Sequence, residues 1–127
     1  MDVTPLIPQG RQVIEAYGEG GFRISGQRVE GSVIVFPDTV VAWAPTAAGD
    51  MSAGNLQPVS AAGQAGSVDL LLIGTGARMT QIDRALRQAA PVSIASMTTP
   101  SARSACRTYN VLMAEGRRVA AALIAVA

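Results

Sequence analysis

The chain has 127 residues, of which 49% are hydrophobic and 15% are charged, and its formal net charge is +1. This length predicts a single domain, residues 1–127, and the near-zero charge excludes a strong electrostatic drive toward nucleic acid. An average soluble domain is roughly 25% charged. The low charged fraction therefore indicates either a surface shared with a partner or simply a neutral surface rich in alanine and glycine.

The chain contains no histidine and one cysteine, Cys106. The lack of histidine excludes Ser-His and Cys-His nucleophile pairs, histidine general bases and most zinc, copper and haem sites. A single cysteine cannot form an internal disulfide. No pair of carboxylates has a compelling shared location, so acid–base hydrolysis has no candidate dyad. We therefore expect no catalytic residue, metal or cofactor, and a protein that is not an enzyme.

The termini carry no visible targeting or membrane-spanning signal. Residues 1–8 lack a basic region followed by an apolar core. The apolar run at residues 119–127 is nine residues long, whereas a membrane helix needs about 20. The expectation is a soluble, cytoplasmic protein without a transmembrane segment.

The first half of the chain predicts short strands separated by turns. Glycines at positions 18, 20 and 21 favour a turn between two strands, and residues 26–31 are predicted to be a second loop or turn. β-Branched and apolar residues predict further strands. The predicted strands are residues 12–17, 22–25, 32–36 and 39–43. Residues 45–66 predict one short helix near positions 56–62.

The second half predicts a strand–helix–strand unit. The apolar run at residues 68–73 is typical of a strand covered on both faces. Thr80 and Asp83 resemble a capping box that opens a helix, and Pro91 ends it. Residues 92–95 are predicted to be the next strand, reached by a right-handed crossover.

A capped helix and a final strand follow. Thr99 is predicted as the N-cap with Pro100 at the first helical position, and the helix is expected to reach Glu115 before Gly116 stops it. Residues 117–126 are predicted to be an internal strand. The predicted fold is α/β, with a mixed sheet, helices on both faces and antiparallel strands preceding it.

The loop of Gly74, Thr75 and Gly76 lies between a strand and a helix, where backbone N–H groups can bind an anion, and Arg78 could add charge. It matches neither G-x-G-x-x-G nor the Walker pattern. A tight structural turn is the competing interpretation.

Three polar residues of the last predicted helix share one face, because Arg103, Arg107 and Asn110 are spaced by four and three. Together with the Gly74–Gly76 loop and Arg78 they form a candidate surface for a carboxylate, a phosphate or an acidic partner segment. The competing interpretation is a solvated helix face. Cys106 falls on the apolar stripe and is predicted to be a buried, inert thiol, although neighbouring arginines would favour a thiolate.

Four sequence motifs resemble one family. They are L-L-L-I-G-T-G at 70–76, T-P-S-A-R-S-A-C-R-T-Y-N-V-L-M-A-E-G-R-R-V-A-A-A-L-I at 99–124, G-F-R-I-S-G at 21–26 and S-V-I-V-F-P at 32–37. They are similar to the domain-of-unknown-function family that includes mitochondrial complex I assembly factor 3 and its bacterial and archaeal relatives. The resemblance covers most of the chain apart from residues 47–66.

The resemblance implies a three-layer α/β/α fold with a mixed sheet and an added β layer, and no established enzyme activity. The mitochondrial relative helps to assemble a membrane respiratory complex. We therefore expect a non-enzymatic binding or assembly factor with protein partners, membrane-complex assembly machinery among them. The alternative is a small-molecule anion-binding protein, or an enzyme, that uses a cleft between Gly74–Gly76 and Arg103–Asn110.

Overall fold

The computed structural model describes residues 11–45, 54–76, 96–98 and 101–126. These contain eight strands and two α-helices, the first preceded by a 3₁₀ turn at Gly54–Leu56. The strands are β1 (Ile14–Gly18), β2 (Gly21–Ile24), β3 (Gln27–Glu30), β4 (Val33–Val35), β5 (Val40–Ala42), β6 (Leu70–Gly74), β7 (Ser96–Thr98) and β8 (Val119–Leu123). The helices are α1 (Gln57–Gln64) and α2 (Ala102–Ala114).

Five strands form the central sheet in the order β5-β4-β8-β6-β7. The middle strand, β8, pairs antiparallel with β4 and parallel with β6, and β6 pairs parallel with β7. The register places Ala121 between Val35 and Leu72. The sheet is therefore mixed, as the sequence predicts.

Alternating side chains of the central sheet divide the core into two layers. One face packs against the helical segment that contains Leu56 and Val59, and the other packs against α2 and the small sheet. The first face consists of Ile34, Leu71, Ile73, Ala120, Ala122 and Ile124, and the second of Val33, Val35, Leu72, Val119, Ala121 and Leu123. The α/β fold with helices on both faces is confirmed.

The remaining strands form a three-stranded antiparallel sheet in the order β1-β2-β3. The turn predicted at residues 18–21 is present, with Glu19 and Gly20 both at positive φ. The loop or turn predicted at residues 26–31 is wrong, because this segment contains β3, whose Val29 pairs with Phe22. β3 is polar and mostly exposed, so its own composition does not signal a strand. Pairing with β2 supplies the backbone hydrogen bonds.

The boundaries of α2 differ slightly from the prediction. The N-cap is Ser101 rather than Thr99, since the Ser101 hydroxyl accepts a hydrogen bond from the Ser104 amide at 3.3 Å. Thr99 and Pro100 lie outside the described residues. At the other end, Gly116 has φ +83° and its amide donates to the Met113 carbonyl at 3.0 Å. The predicted glycine stop is confirmed.

The strand–helix–strand unit is described only in part. Its first strand is β6, and the parallel partner of that strand is Ser96–Thr98, which begins just after the predicted range of 92–95. The predicted helix after Thr80 and residues 92–95 lie outside the described residues. The short helix predicted near positions 56–62 is confirmed as α1. Among the helices described, none is long and apolar enough to cross a membrane.

The C-terminal stop of α2 can be tested at Gly116. Replacement by alanine, Gly116→Ala, should lower the free energy of unfolding by about 1 kcal/mol, because an L side chain is disfavoured at positive φ. A Cβ at this position would have no neighbour within 4 Å, so a steric clash does not contribute. Urea denaturation measures the change. Gly116→Asn should lower the free energy of unfolding by less, because asparagine tolerates this backbone conformation. An equal loss of stability in both variants would contradict the conformational explanation.

Candidate functional site

A groove of about 240 Å³ runs between α2 and β1, and we call it the α2–β1 groove. One wall is strand β1 and the other is the helix face that the sequence analysis identified. The described residues that line it are Ile14, Glu15, Ala16, Tyr17, Arg103, Cys106, Arg107 and Asn110. Two separate sequence segments therefore build the site, and only the helical one was predicted.

Two polar side chains of α2 hold β1 in place. The Asn110 amide donates to the Ile14 carbonyl at 2.7 Å, and its Oδ1 accepts from the Ile14 amide at 3.0 Å. The Tyr109 hydroxyl lies 3.0 Å from the Gln12 carbonyl oxygen and 3.1 Å from that of Phe36. Asn110 thus takes the place of a neighbouring strand at Ile14, and it positions the groove wall.

The groove exposes two cations that carry no ion pair within the described part of the chain. Arg103 and Arg107 are one helical turn apart and both are exposed. The acidic residue of the opposite wall, Glu15, accepts a hydrogen bond from the Gly26 amide and lies 4.0 Å from Arg23. The charge of Glu15 is therefore directed at its own sheet, and the two α2 guanidinium groups are available for a ligand.

Two large apolar side chains are exposed beside these arginines. Tyr17, 42% exposed, lines the groove from β1. Val111, 56% exposed, follows Arg107 by one turn of α2. The described chain exposes no other large hydrophobic side chain. Positive charge and exposed apolar area therefore coincide on one surface. Neither Tyr17 nor Val111 indicates this surface in the sequence, because single exposed hydrophobic residues are common in proteins.

The Gly74–Gly76 loop does not contribute to the described lining of this groove. Its residues are buried, and the Gly74 carbonyl accepts a hydrogen bond from the Ile124 amide at 2.9 Å. The loop lies at the carboxyl end of β6, the same edge of the sheet at which α2 begins after β7. Arg78 lies outside the described residues. The structure thus brings together Arg103, Arg107 and Asn110, and their association with the loop stays a prediction.

Cys106 forms part of the groove floor but is only 5% exposed. Burial raises the pKa of its thiol from an ordinary 9.0 to about 12. The neutral thiol is therefore the form present at neutral pH, and the interpretation of Cys106 as an inert core residue is supported.

A larger concavity lies at the opposite edge of the central sheet. This edge cleft, of about 450 Å³, is formed where β6 and β8 begin and where β4 ends. Its described lining consists of Arg11, Phe36, Pro37, Asp38, Thr39, Pro58, Ala62, Ser67, Val68 and Arg118. No sequence pattern predicts this cleft, because its residues come from distant segments and share no local motif.

The described residues contain no group of three or more cysteine, aspartate or glutamate side chains placed to hold a metal ion. Their ion pairs are peripheral contacts: Arg23 with Glu15, Arg28 with Glu30, and Arg118 with Asp69.

Comparison with known proteins places the chain in a family. It belongs to the family described as "Protein of unknown function (DUF498/DUF598)", which matches residues 14–124. This match confirms the resemblance seen in the sequence motifs. The matched range includes both sheets and α2.

Individual relatives include bacterial and mitochondrial proteins. An uncharacterized protein of Rhodobacter capsulatus is 39% identical over 91% of this chain and 86% of its own length. The human NADH dehydrogenase (ubiquinone) 1 alpha subcomplex assembly factor 3 is 31% identical over 87% of this chain. The chain spans only 59% of that assembly factor. Among solved structures, the chain is similar to the crystal structure described as an outer membrane protein from Bartonella henselae, with a TM-score of 0.83. The two sequences are 36% identical, and the match covers 93% of this chain and 98% of that one.

The positioning role of Asn110 can be tested by replacement with alanine. Asn110→Ala removes both hydrogen bonds to Ile14, so we expect the free energy of unfolding to fall by about 1–3 kcal/mol. Arg107→Ala, on the same helix face, should change it by less than about 0.5 kcal/mol because its side chain is exposed. Urea denaturation of the two variants measures this difference, and equal stabilities would contradict the assignment.

The thiol of Cys106 should be resistant to modification. Burial raises the pKa of the thiol to about 12, so at pH 8 the thiolate should be far scarcer in the folded chain than in urea. Reaction with Ellman's reagent, followed at 412 nm with and without urea, measures the ratio. Because the folded-state pKa is raised, the thiol stabilises the fold below pH 9, and this contribution should decline as the pH rises from 9 to 12. Comparable reaction rates in both conditions would refute burial.

Proposed function

We propose that the protein is a non-enzymatic binding or assembly factor that docks a protein partner in the α2–β1 groove. The observation that carries the proposal is that Arg103 and Arg107, which form no ion pair with any described residue, share one surface with the exposed Tyr17 and Val111. Kinship with an assembly factor, which covers 87% of this chain, supports the same class of function.

The chemistry of the groove specifies the partner segment. Arg103 and Arg107 can form forked hydrogen bonds with carboxylates, and Tyr17 and Val111 offer apolar area at either side. A partner segment with acidic residues alternating with apolar ones would match both features. Aromatic and arginine side chains carry most of the binding energy in many protein interfaces, so Tyr17, Arg103 and Arg107 are the proposed contact residues.

Asn110 acts in this proposal by positioning β1, while the arginines touch the partner. The residues of the Gly74–Gly76 loop are buried, so they are not proposed as partner contacts, and the association of Arg78 with this surface stays a prediction. Assembly machinery of a membrane complex remains the proposed partner class, and the cytoplasm the proposed compartment.

A small-molecule anion is the less favoured occupant of this groove. Pockets for small molecules usually measure about 300–1,000 Å³, whereas the groove measures about 240 Å³ and lies open beside exposed apolar side chains. These features favour an extended protein segment. A thermal-shift screen with nucleotides, phosphates and carboxylates distinguishes the two, since only an anion site would give a shift that Arg103→Ala and Arg107→Ala abolish.

The proposal can be tested by site-specific capture in the source cell. A photo-crosslinking phenylalanine derivative at position 17 should trap a discrete protein, identified by mass spectrometry. The double variant Arg103→Ala/Arg107→Ala should reduce this capture by about tenfold or more, because two charge-assisted contacts are lost. Its melting temperature should remain close to that of the unmodified chain, since both side chains are exposed.

A matched control removes two arginines outside the groove. Arg28→Ala/Arg117→Ala changes the net charge equally but should leave the capture intact, because neither side chain lines the groove. If both double variants reduce capture to the same extent, net charge rather than the groove determines binding. If neither does, or if the crosslinker at position 17 traps nothing that it does not also trap at the β3 position 28, the groove is not the docking surface.

A further inference from the structure

The edge cleft, on the opposite edge of the sheet from the Gly74–Gly76 loop, has the features of a second and independent site. We propose that it binds a small amphipathic carboxylate, with the apolar body of the ligand in the cleft and its carboxylate at the rim.

The floor of the cleft is apolar and already formed. Phe36, Pro37 and Val68 are buried there, and Pro58 and Ala62 of α1 form one side. Pro58 and Ala62 are four residues apart, so they present the same face of the helix. Rigid proline rings and a packed aromatic side chain give a surface that loses little conformational entropy when a ligand binds.

The rim carries a cation whose orientation is fixed by the chain itself. Arg118 donates through Nη1 to the Gly66 carbonyl at 3.1 Å and through Nη2 to Asp69 Oδ2 at 3.1 Å. A guanidinium group has five N–H donors, so further donors remain on the side chain that lines the cleft. A carboxylate accepts such paired donors with high geometric specificity.

A second cation, Arg11, lies at the rim of the cleft. Arg11 lines the cleft and forms no ion pair with any described residue, and the same is true of Asp38. Arg118 is paired with Asp69, so the ligand carboxylate would be bound by Arg11 and by the remaining N–H donors of Arg118. The Asp38 charge disfavours a ligand with more than one negative charge, and a monocarboxylate therefore suits the rim better than a phosphate.

The size of the cleft agrees with this ligand class. Its volume of about 450 Å³ falls within the range of about 300–1,000 Å³ that small-molecule sites occupy. Apolar and polar residues contribute equally to its described lining, so the cleft offers both apolar area and convergent polar groups to a ligand. The inference does not depend on partner docking in the α2–β1 groove, because the two concavities share no described lining residue.

Three probes that differ in one terminal group test the proposal on the full chain. They are 3-phenylpropionate, 3-phenylpropan-1-ol and 3-phenylpropylamine. In ¹H–¹⁵N NMR titrations, 3-phenylpropionate should shift the amide signals of Thr39, Ser67 and Val68 and bind about five- to tenfold more tightly than the alcohol, because the rim supplies charge-assisted hydrogen bonds. The amine should bind more weakly than the alcohol.

A pair of variants then locates the carboxylate. Arg11→Gln should weaken 3-phenylpropionate about fivefold and leave the alcohol unchanged, since a partly solvated charge contributes less than a buried one. Arg107→Gln, in the α2–β1 groove, should affect neither probe, and Arg11→Gln should leave partner capture from position 17 intact.

The proposal is overturned if the acid and the alcohol bind equally, if the amine binds best, or if none of the probes shifts these amide signals. It also fails if Arg11→Gln and Arg107→Gln have the same effect on the acid. Loss of the NMR shifts with intact capture from position 17 would reject the carboxylate site alone, and the reverse would reject only the docking groove.

Discussion

The fold depends on the complete burial of β8 at the middle of the central sheet. Its residues, Val119–Leu123, are inaccessible to solvent on both faces and bond to β4 on one side and β6 on the other. The three central residues are alanines, which lets α1 and α2 approach the sheet from opposite sides. Larger side chains from β4 and β6 fill the two core layers around this strand.

The core layer that contains α2 and the small sheet is also held together by polar contacts. Within its largely apolar interface, α2 binds β1 through hydrogen bonds. Tyr109 contacts carbonyl groups near the start of β1 and the end of β4, and Asn110 bonds to both backbone groups of Ile14. Burial raises the pKa of the Tyr109 phenol, so its proton is retained for these contacts. This attachment forms the α2–β1 groove and leaves Arg103 and Arg107 on its open side. One helix face thus combines residues that build the site with residues that are free to bind.

Much of the fold and about half of the proposed docking surface were predictable from local patterns. The apolar run of β6 and the glycine at position 116 indicate their elements directly, because one strand is buried on both faces and one helix ends at positive φ. β3 was missed, since a polar, exposed strand is stabilised by pairing with β2 rather than by its own composition. Tyr17 and the edge cleft were missed because their importance arises from neighbours that are distant in the chain.

Local patterns in the chain are enough to establish the family, the α/β class, the mixed sheet and the residue types available for chemistry: ten arginines, no histidine and one cysteine. These follow from composition, motifs and periodicity, which are local properties of the chain. Three groupings arise only when the chain folds: Asn110 holds strand β1, Arg103 and Arg107 line one groove with Tyr17, and Arg11 and Arg118 line one cleft. Such groupings depend on the packing of β1, α2 and the central sheet, because hydrogen bonds and burial join residues that no sequence spacing relates.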